Sequence, residues 1–168
     1  GITNHIYITN ADGSNLPVQL SSTTTNNLNP QISKNSNKIT WMANNGTTTH
    51  VYVRNSDGSN SALQLSTTTI NNINPQINDD GSKVVWSGNN GNSHVYVRNS
   101  DGSGTPIQLS DSTEYNFDPQ ISGDGTKVVW QGDNGTTNHI YIRNADGSGS
   151  PVQLSTISTN NIFPTISD

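Results

Sequence analysis

Three features of the sequence predict an all-β fold built from repeated units. The chain has a single Glu (Glu114) and a single Met (Met42), whereas it is rich in Thr, Val and Ile, which suit strands. A His-x-Tyr motif recurs at steps of 44 to 45 residues. Short apolar runs within each repeat are separated mainly by Asp-Gly or Asn-Gly pairs, which are strong hairpin signals. This regularity argues against a disordered chain, although only 28% of the residues are hydrophobic.

Each complete repeat carries four apolar segments in the same order. A Pro-x-Ile segment is followed by an apolar run ending in Trp, then by the His-x-Tyr segment, and finally by a Gln between two aliphatic residues. Four short strands joined by tight turns predict a four-stranded antiparallel meander. The landmarks are Pro30, Pro75, Pro119 and Pro164; Trp41, Trp86 and Trp130; His5, His50, His94 and His139; and Gln19, Gln64, Gln108 and Gln153.

Stacking of these meanders predicts a four-bladed β-propeller. One small meander cannot bury both of its faces, so neighbouring units must stack, and radial stacking gives a propeller. Polar stretches at 21–29, 66–74 and 110–118 are interpreted as ordered links between blades. The sequence thus predicts a single domain over residues 1–168, with blades at 29–66, 74–110 and 118–155 and a partial blade formed by 1–21 plus 163–168.

The repeat resembles the blade of the TolB-like β-propellers. The resemblance rests on the segment from Asp118 to Trp130, followed by His139-Ile140-Tyr141-Ile142 and by Asp146-Gly147. It extends over nearly the whole chain and implies the propeller fold. It does not imply one function, because such propellers serve as partner scaffolds, enzyme accessory domains and surface proteins. Residues 33–37 lack the Asp-Gly pair of the family pattern, which predicts a looser turn there.

The partial blade is predicted to lack one strand. Pro30 and Pro164 lie three repeats apart, so four repeats of about 45 residues need about 179 residues, whereas the sequence has 168. The His-x-Tyr and Gln segments of this blade come from the N-terminal end, and its Pro-x-Ile segment comes from the C-terminal end. The absent element is therefore the Trp strand between them.

We expect the edges of this unfinished blade to mediate self-assembly. Exposed strand edges pair with other chains unless charge or Pro blocks them, and residues 1–10 carry no charged side chain. A contact between different ends is head to tail, which gives a ring or a filament. Two alternatives remain: the strand was removed or lies beyond this sequence, or the incomplete ring closes on itself. The predicted contacts between subunits are Ile2, His5, Ile6, Tyr7, Ile8, Phe163, Pro164, Thr165 and Ile166.

Composition excludes several classes of partner and site. The chain has 7 Lys and Arg against 12 Asp and Glu and no basic cluster, which argues against nucleic acid. No apolar run approaches the roughly 18 residues of a membrane span. The absence of Cys excludes disulfides and thiolate ligands.

The repeated polar residues have ordinary structural explanations. The four His residues begin the third strand, away from the predicted channel, which favours hydrogen bonds over a metal ring. Each Asp-Gly-Ser turn supplies one carboxylate, so hairpin geometry explains it better than calcium does, and no cofactor is predicted. Arg54, Arg98 and Arg143 follow the Tyr strand, where a charge near the following Asp is expected, and Thr9 replaces them in the first unit. The Trp residues are expected to pack between blades.

The sequence predicts a non-enzymatic protein. Paired acid and base catalysis requires two groups in different environments, whereas the repeat gives each candidate several copies in the same environment. Glu114 is unique in the sequence and stands alone on a link. We expect an extracellular or cell-surface structural protein that assembles with copies of itself, into filaments, through its incomplete blade. The alternative is a monomeric propeller module that binds a glycan or a surface protein.

Overall fold

Each repeat of the sequence folds into an antiparallel sheet. The computed structural model describes residues 3–67, 69–89, 91–111, 114–155 and 160–167. Regular elements in this part of the chain are all strands, and none of it forms a helix able to cross a membrane. The prediction of an all-β propeller is confirmed: three sheets have four strands each, and one has two.

Every sheet consists of strands that are consecutive in the chain. The strands are β1 (Tyr7–Ile8), β2 (Val18–Gln19), β3 (Asn26–Ile32), β4 (Lys38–Asn44), β5 (Thr49–Asn55), β6 (Leu63–Gln64), β7 (Asn71–Ile77), β8 (Lys83–Asn89), β9 (Ser93–Asn99), β10 (Ile107–Gln108), β11 (Tyr115–Ile121), β12 (Lys127–Asp133), β13 (Asn138–Asn144) and β14 (Val152–Gln153). The short first sheet pairs β1 with β2, and the complete blades are β3 to β6, β7 to β10 and β11 to β14.

The first strand of each complete blade starts earlier than predicted. β3, β7 and β11 begin inside the polar stretches that were interpreted as links. Each contains a register shift at a residue with positive φ, namely Asn29 at 50°, Asn74 at 53° and Asp118 at 49°. Asn and Asp tolerate this backbone conformation better than most residues, and such a bulge bends the strand. The Asn-rich stretches are therefore half strand and half link.

Aliphatic and Trp side chains form one core cluster between each pair of neighbouring sheets. Val51, Val53 and Leu65 of one blade pack against Val84 and Trp86 of the next. The same arrangement joins the other neighbours, and Leu20, Leu65 and Leu109 are at most 2% exposed. The expectation that Trp packs between blades is confirmed.

A buried Asn holds each Trp in place. The indole Nε1 of Trp86 donates to Oδ1 of Asn72 at 2.9 Å, and Trp41 and Trp130 make the same bond with Asn27 and Asn116. We call these three residues the hub asparagines. A buried indole N–H needs an acceptor, since leaving it without one costs about 1–3 kcal/mol.

The hub asparagine also joins the link to the preceding blade. Nδ2 of Asn72 lies 3.3 Å from the carbonyl of Thr49 in β5, 3.2 Å from that of Thr67 in the link and 2.7 Å from that of Ile70. One side chain thus fixes its own strand, the link and the neighbouring sheet.

Arginine forms a second connection between blades, and the charge of Arg54 also acts on the following Asp57, as expected. Nη1 of Arg98 donates to the carbonyl of Leu65 on the preceding blade at 2.9 Å. Its Nε donates to Gly104 at 2.9 Å and its Nη2 to Gly102 in its own hairpin. Arg54 and Arg143 repeat the pattern toward Leu20 and Leu109. The guanidinium offers five N–H donors in a fixed fork and no acceptor. The backbone carbonyls of two neighbouring sheets accept from these donors.

The turn at 33–37 is as regular as its counterparts, so the prediction of a looser turn is wrong. Oδ1 of Asn35 accepts from the backbone N–H of Asn37 at 3.0 Å, as the carboxylate of Asp80 does from Ser82 at 2.8 Å. Ser36 takes the position of the usual Gly with a φ of 59°. Asn replaces Asp here because both close the same turn.

Replacing a hub asparagine is expected to destabilise the fold. Asn72→Ala leaves the Trp86 indole N–H without its acceptor and opens a cavity in the core. The free energy of unfolding should therefore fall by at least about 2 kcal/mol. Urea unfolding measures the change. Asn15→Ala, at an exposed position, is the matched control and should shift stability by less than about 0.5 kcal/mol. Equal effects of the two changes would contradict the role of Asn72.

Candidate functional site

The first sheet has an open strand edge. β1 pairs with β2 through Tyr7 opposite Gln19 and Ile8 opposite Val18. The corresponding strands β5, β9 and β13 also pair with a Trp strand on their other side, which extends each of them to seven residues. Within the described residues no strand takes that place beside β1. Its two-residue length follows from this one-sided pairing.

The N-terminal residues predicted to contact a partner divide between core and surface. Ile6 is buried and packs with Ile8 against the cluster around Trp41. Tyr7 is 54% exposed, and its hydroxyl donates to Gln19 at 3.0 Å. His5 hydrogen-bonds the carbonyl of Ser22. Ile2 lies outside the described residues.

The C-terminal predicted contacts lie beside the last blade. The backbone N–H of Asn161 donates to the carbonyl of Asn138 at 2.9 Å, as Asn27 does to Asn4 at 3.0 Å. Residues 160–167 thus start along the same path as a link, but they form no regular strand. Phe163 is 74% exposed, and Ile166 is partly buried. Among the described residues no strand pairing joins this segment to β1.

One face of the last blade is uncovered. It consists of Ile140, Ile142 and Leu154, which we call the terminal face. Ile140 and Ile142 are partly exposed, and Leu154 is 58% exposed. On the other sheets the equivalent Leu is buried by the Trp strand of the next blade. Ile32, at the opposite end of the row of blades, is 50% exposed.

The four inner segments surround a polar cavity of about 460 Å³, which we call the axial cavity. Nδ2 of Asn74 donates to Oδ1 of Asp118 at 2.8 Å, and Nδ2 of Asn29 lies 3.5 Å from Oδ1 of Asn74. These are the bulge residues of β3, β7 and β11. The wall is completed by Gln31, Pro75, Gln76, Pro119, Gln120, Phe163, Pro164 and Thr165. It offers amides and one carboxylate to a ligand.

His5, His50 and His139 of the repeated His residues make local hydrogen bonds, and so do the Asp residues of the hairpin turns. His50 contacts the carbonyl of Thr67 at 3.2 Å and the hydroxyl of Thr48 at 2.9 Å. Asp57 accepts from the backbone N–H of Ser59 at 2.8 Å, and hydrogen bonds from this Ser hold the pKa of its carboxyl below the ordinary value. The described part of the chain contains no group of three or more His, Asp or Glu placed to hold a metal ion.

Glu114 contacts a tyrosine instead of standing alone. The hydroxyl of Tyr141 donates to Oε1 of Glu114 at 3.1 Å. Burial raises the pKa of Tyr141 to about 12, and the negative charge of Glu114 acts in the same direction. A phenol with so high a pKa stays protonated at neutral pH and acts as a hydrogen-bond donor.

Sequence reasoning missed the hub asparagines. Asn27, Asn72 and Asn116 each precede a Trp by 14 residues, and Asn161 follows Asn116 by the repeat step of 45. This constant spacing is the signal that identifies them. It is hard to see because other Asn residues surround each one.

The sequence that folds into these stacked sheets matches one family model. The TolB β-propeller domain model aligns with residues 2–168. The chain belongs to the TolB β-propeller family. No curated protein matches this TolB-family propeller.

Solved structures share the fold at low sequence identity. A protein described as TolB from Agrobacterium tumefaciens is 19% identical with a TM-score of 0.68, and the match covers 91% of this chain and 57% of that one. TolB from Acinetobacter baumannii is 20% identical with a TM-score of 0.66, covering 94% and 39%. The tricorn protease is 11% identical with a TM-score of 0.70, covering 93% and 15%. The matches thus cover little more than half of the Agrobacterium protein and less than half of the other two proteins. The likeness is one of fold.

The contact between Tyr141 and Glu114 can be tested by titration. In the folded protein Tyr141 should ionise at about pH 12. Glu114→Gln removes the negative charge and should move this midpoint toward the ordinary value, while burial keeps it elevated. Ultraviolet absorbance of tyrosinate gives the midpoint, and Tyr141→Phe assigns it. Tyr96, whose pKa burial alone raises, is the internal control and should not respond. An unchanged Tyr141 midpoint would contradict the contact.

Proposed function

We propose that this TolB-family propeller is a non-enzymatic structural protein that joins copies of itself head to tail. The observation that carries the proposal is the terminal face. Leu154 is 58% exposed, whereas Leu20, Leu65 and Leu109 are at most 2% exposed beneath a neighbouring blade. Burying a Leu side chain fully is worth roughly 1.5–3 kcal/mol, so a face of three aliphatic residues favours association.

The other end of the molecule offers a different surface. The open edge of β1 and the exposed Ile32 lie on the first sheet and the first complete blade. An interface between unlike ends is heterologous, and repetition of such an interface produces a closed ring or an open filament. The sequence from residue 1 to residue 10 contributes no charge that would oppose this contact.

The first sheet also lacks the arginine that ties other sheets to a preceding blade. Thr9 stands at the position of Arg54 and donates its hydroxyl to the carbonyl of Asn15 in its own hairpin at 2.9 Å. Arg54 makes the same contact with Asn60 at 2.7 Å and also reaches Leu20 on the preceding sheet at 2.9 Å. The first sheet is therefore built without this fixed attachment, which suits an end that meets a separate molecule.

The absence of catalysis is part of the proposal. The Asp carboxylates at the hairpins close their own turns, and the arginines bind backbone carbonyls. Glu114 and Tyr141 bond to each other, and the high pKa of Tyr141 makes it a poor base at neutral pH. These groups serve the fold.

An extracellular or cell-surface location completes the proposal. Charged residues make up only 11% of the chain, and the exposed turns are formed largely by Asn, Ser, Thr and Gly. Such a surface interacts through hydrogen bonds and depends little on ionic strength. These properties suit a structural protein outside the cell.

Adding a charge to the terminal face should prevent association. Analytical ultracentrifugation over a wide concentration range should show the wild-type protein forming larger species, and Leu154→Asp should remain monomeric because it places a carboxylate at the interface. Thr47→Asp adds the same charge at an exposed turn of a complete blade and should associate like the wild type. A wild-type protein that stays monomeric at every concentration, or equal behaviour of both variants, would contradict the proposal.

The axial cavity favours a second candidate function, the binding of a neutral glycan by a single propeller. Side-chain amides of Gln31, Gln76 and Gln120 line the cavity together with the carboxylate of Asp118 and the exposed ring of Phe163. Amides and carboxylates bind pairs of sugar hydroxyls, and an aromatic ring packs against the apolar face of a pyranose.

A glycan array followed by calorimetry tests this second function. Saturable binding by the monomer is expected, and Gln120→Ala should weaken it about tenfold because one hydrogen-bonding group is lost. Thr47→Ala, distant from the cavity, should bind normally. Absence of saturable binding, or equal affinities of the two variants, would exclude the axial cavity as a glycan site.

A further inference from the structure

We propose that a pocket on the first complete blade holds one ring of a neutral sugar. The pocket, which we call the link pocket, lies between residues 22–27 and side chains of β4 and β5. It shares no residue with the axial cavity or with the terminal face, so the inference depends on neither of the proposed functions. The other complete blades have equivalent positions, and their side chains fill the space.

The complete blades build the same frame around this position. A Trp and a Tyr lie side by side on neighbouring strands, with ring centroids 6.0 Å apart for Trp41 and Tyr52 and 6.1 Å apart for Trp86 and Tyr96. The hub asparagine bonds the Trp, and the link supplies another wall. Both Tyr side chains remain partly exposed. A partly exposed aromatic ring in a hollow is a surface on which a ring-shaped ligand can pack.

One position of the link decides how much of the space is filled. The equivalent residues, which lie one repeat step apart, are Thr25, Ile70 and Glu114. In the second complete blade Cδ1 of Ile70 lies only 2.9 Å from the point that a Cβ on Gly88 would occupy. In the third, Oε2 of Glu114 lies 2.7 Å from the corresponding point on Gly132. Both side chains thus close the space between the link and the second strand.

Thr25 leaves this space open. It is shorter than Ile70, and its hydroxyl donates to Oδ1 of the hub asparagine Asn27 at 3.2 Å. Ala62 also stands where the second blade has Pro106. The link pocket therefore has a volume of about 210 Å³, against about 60 Å³ for its equivalent. A cavity of about 150 Å³ takes up a benzene molecule, so the link pocket has room for one six-membered ring and its equivalent does not.

The larger volume does not result from the short first sheet. The pocket of the second complete blade lies next to a sheet of four strands, yet its described walls come only from its own link and its own blade. The described walls of the link pocket likewise come from residues 22–27 and from the first complete blade. The difference therefore lies in the side chains at positions 25 and 62.

The lining favours a neutral ligand with one apolar face. None of the described residues that line the link pocket is charged. The ring of Tyr52 and the methyl groups of Ala43 and Ala62 form its apolar part. The C–H face of a pyranose packs against such groups through many small dispersion contacts.

Hydroxyl groups form the polar part of the lining. Oγ of Ser22 lies 2.8 Å from Oγ1 of Thr24 and accepts from the backbone N–H of Thr24 at 3.1 Å. The bond between the two hydroxyls uses one of their two O–H groups, so among the described contacts the other O–H is available to a ligand. The oxygen of Thr25 adds an acceptor. A sugar hydroxyl both donates and accepts, so a sugar matches this lining better than an aromatic or aliphatic ligand does.

An NMR titration of the full chain tests the assignment. The probes are the methyl glycosides of glucose, galactose, mannose and N-acetylglucosamine. At least one of them should cause saturable shift changes at the amides of Ser22, Thr24, Ala43 and Ala62. No saturable change with any probe, or saturable changes only at other residues, would overturn the proposal.

Phenol separates a sugar site from a general apolar hollow. It has a ring of similar size but only one hydroxyl, so it should bind more weakly than the best glycoside. Tighter binding of phenol than of every glycoside would identify a site for aromatic groups and overturn the sugar assignment.

Three variants locate the binding. Thr25→Ile copies the second complete blade, so it should fold, and it should weaken glycoside binding at least about tenfold because the side chain fills the pocket. Thr47→Ile adds the same side chain at an exposed turn of the same blade and should bind normally. Gln120→Ala alters the axial cavity and should also bind normally. Binding that responds to Gln120→Ala but not to Thr25→Ile would place the sugar in the axial cavity and overturn the link pocket.

The reverse change should transfer the site. Ile70→Thr combined with Pro106→Ala gives the second complete blade the smaller side chains of the first. The glycoside that binds the link pocket should then also shift the amides of Thr67 and Tyr96, which line the equivalent pocket. No response at these two residues would show that the two positions do not determine the pocket, which would overturn the proposal.

Discussion

The hydrogen bond from a Trp indole to a buried Asn is the contact on which the architecture depends. In Trp86 and Asn72 it joins the second strand of a blade to the first, and the Asn amide extends it to the link and to the preceding sheet. The Trp ring then covers Leu65 of that sheet. The same Trp and Asn thus pair their buried polar groups and cover the apolar side chains of the preceding sheet. This explains how a chain with 28% hydrophobic residues forms separate cores between blades.

Because each blade is covered by the Trp strand of the next, the two ends of the row differ from its middle. Among the described residues, the terminal face around Leu154 and the open edge beside Tyr7 are the surfaces that no neighbouring blade or strand covers. Exposed apolar side chains and unpaired strand edges both favour association. The proposed structural role rests on these two uncovered surfaces.

The sequence predicted the repeat, the all-β class and the order of the strands because hairpin turns and apolar periodicity are local signals. It predicted Trp41 in an interface for the same reason. It did not reveal that β7 begins at Asn71, since an Asn-rich stretch forms a strand only when a bulge and a neighbouring strand stabilise it. The partners of Arg98 were also hidden, because backbone carbonyls have no sequence signature. Neither the axial cavity nor the terminal face could be located before the blades were placed.

Electron microscopy of the purified protein at high concentration tests the central claim most directly. The account predicts rings or filaments in which the terminal face of one copy, with Leu154, meets the first sheet of the next. Isolated particles alone at high concentration, or assemblies joined through other surfaces, would contradict it.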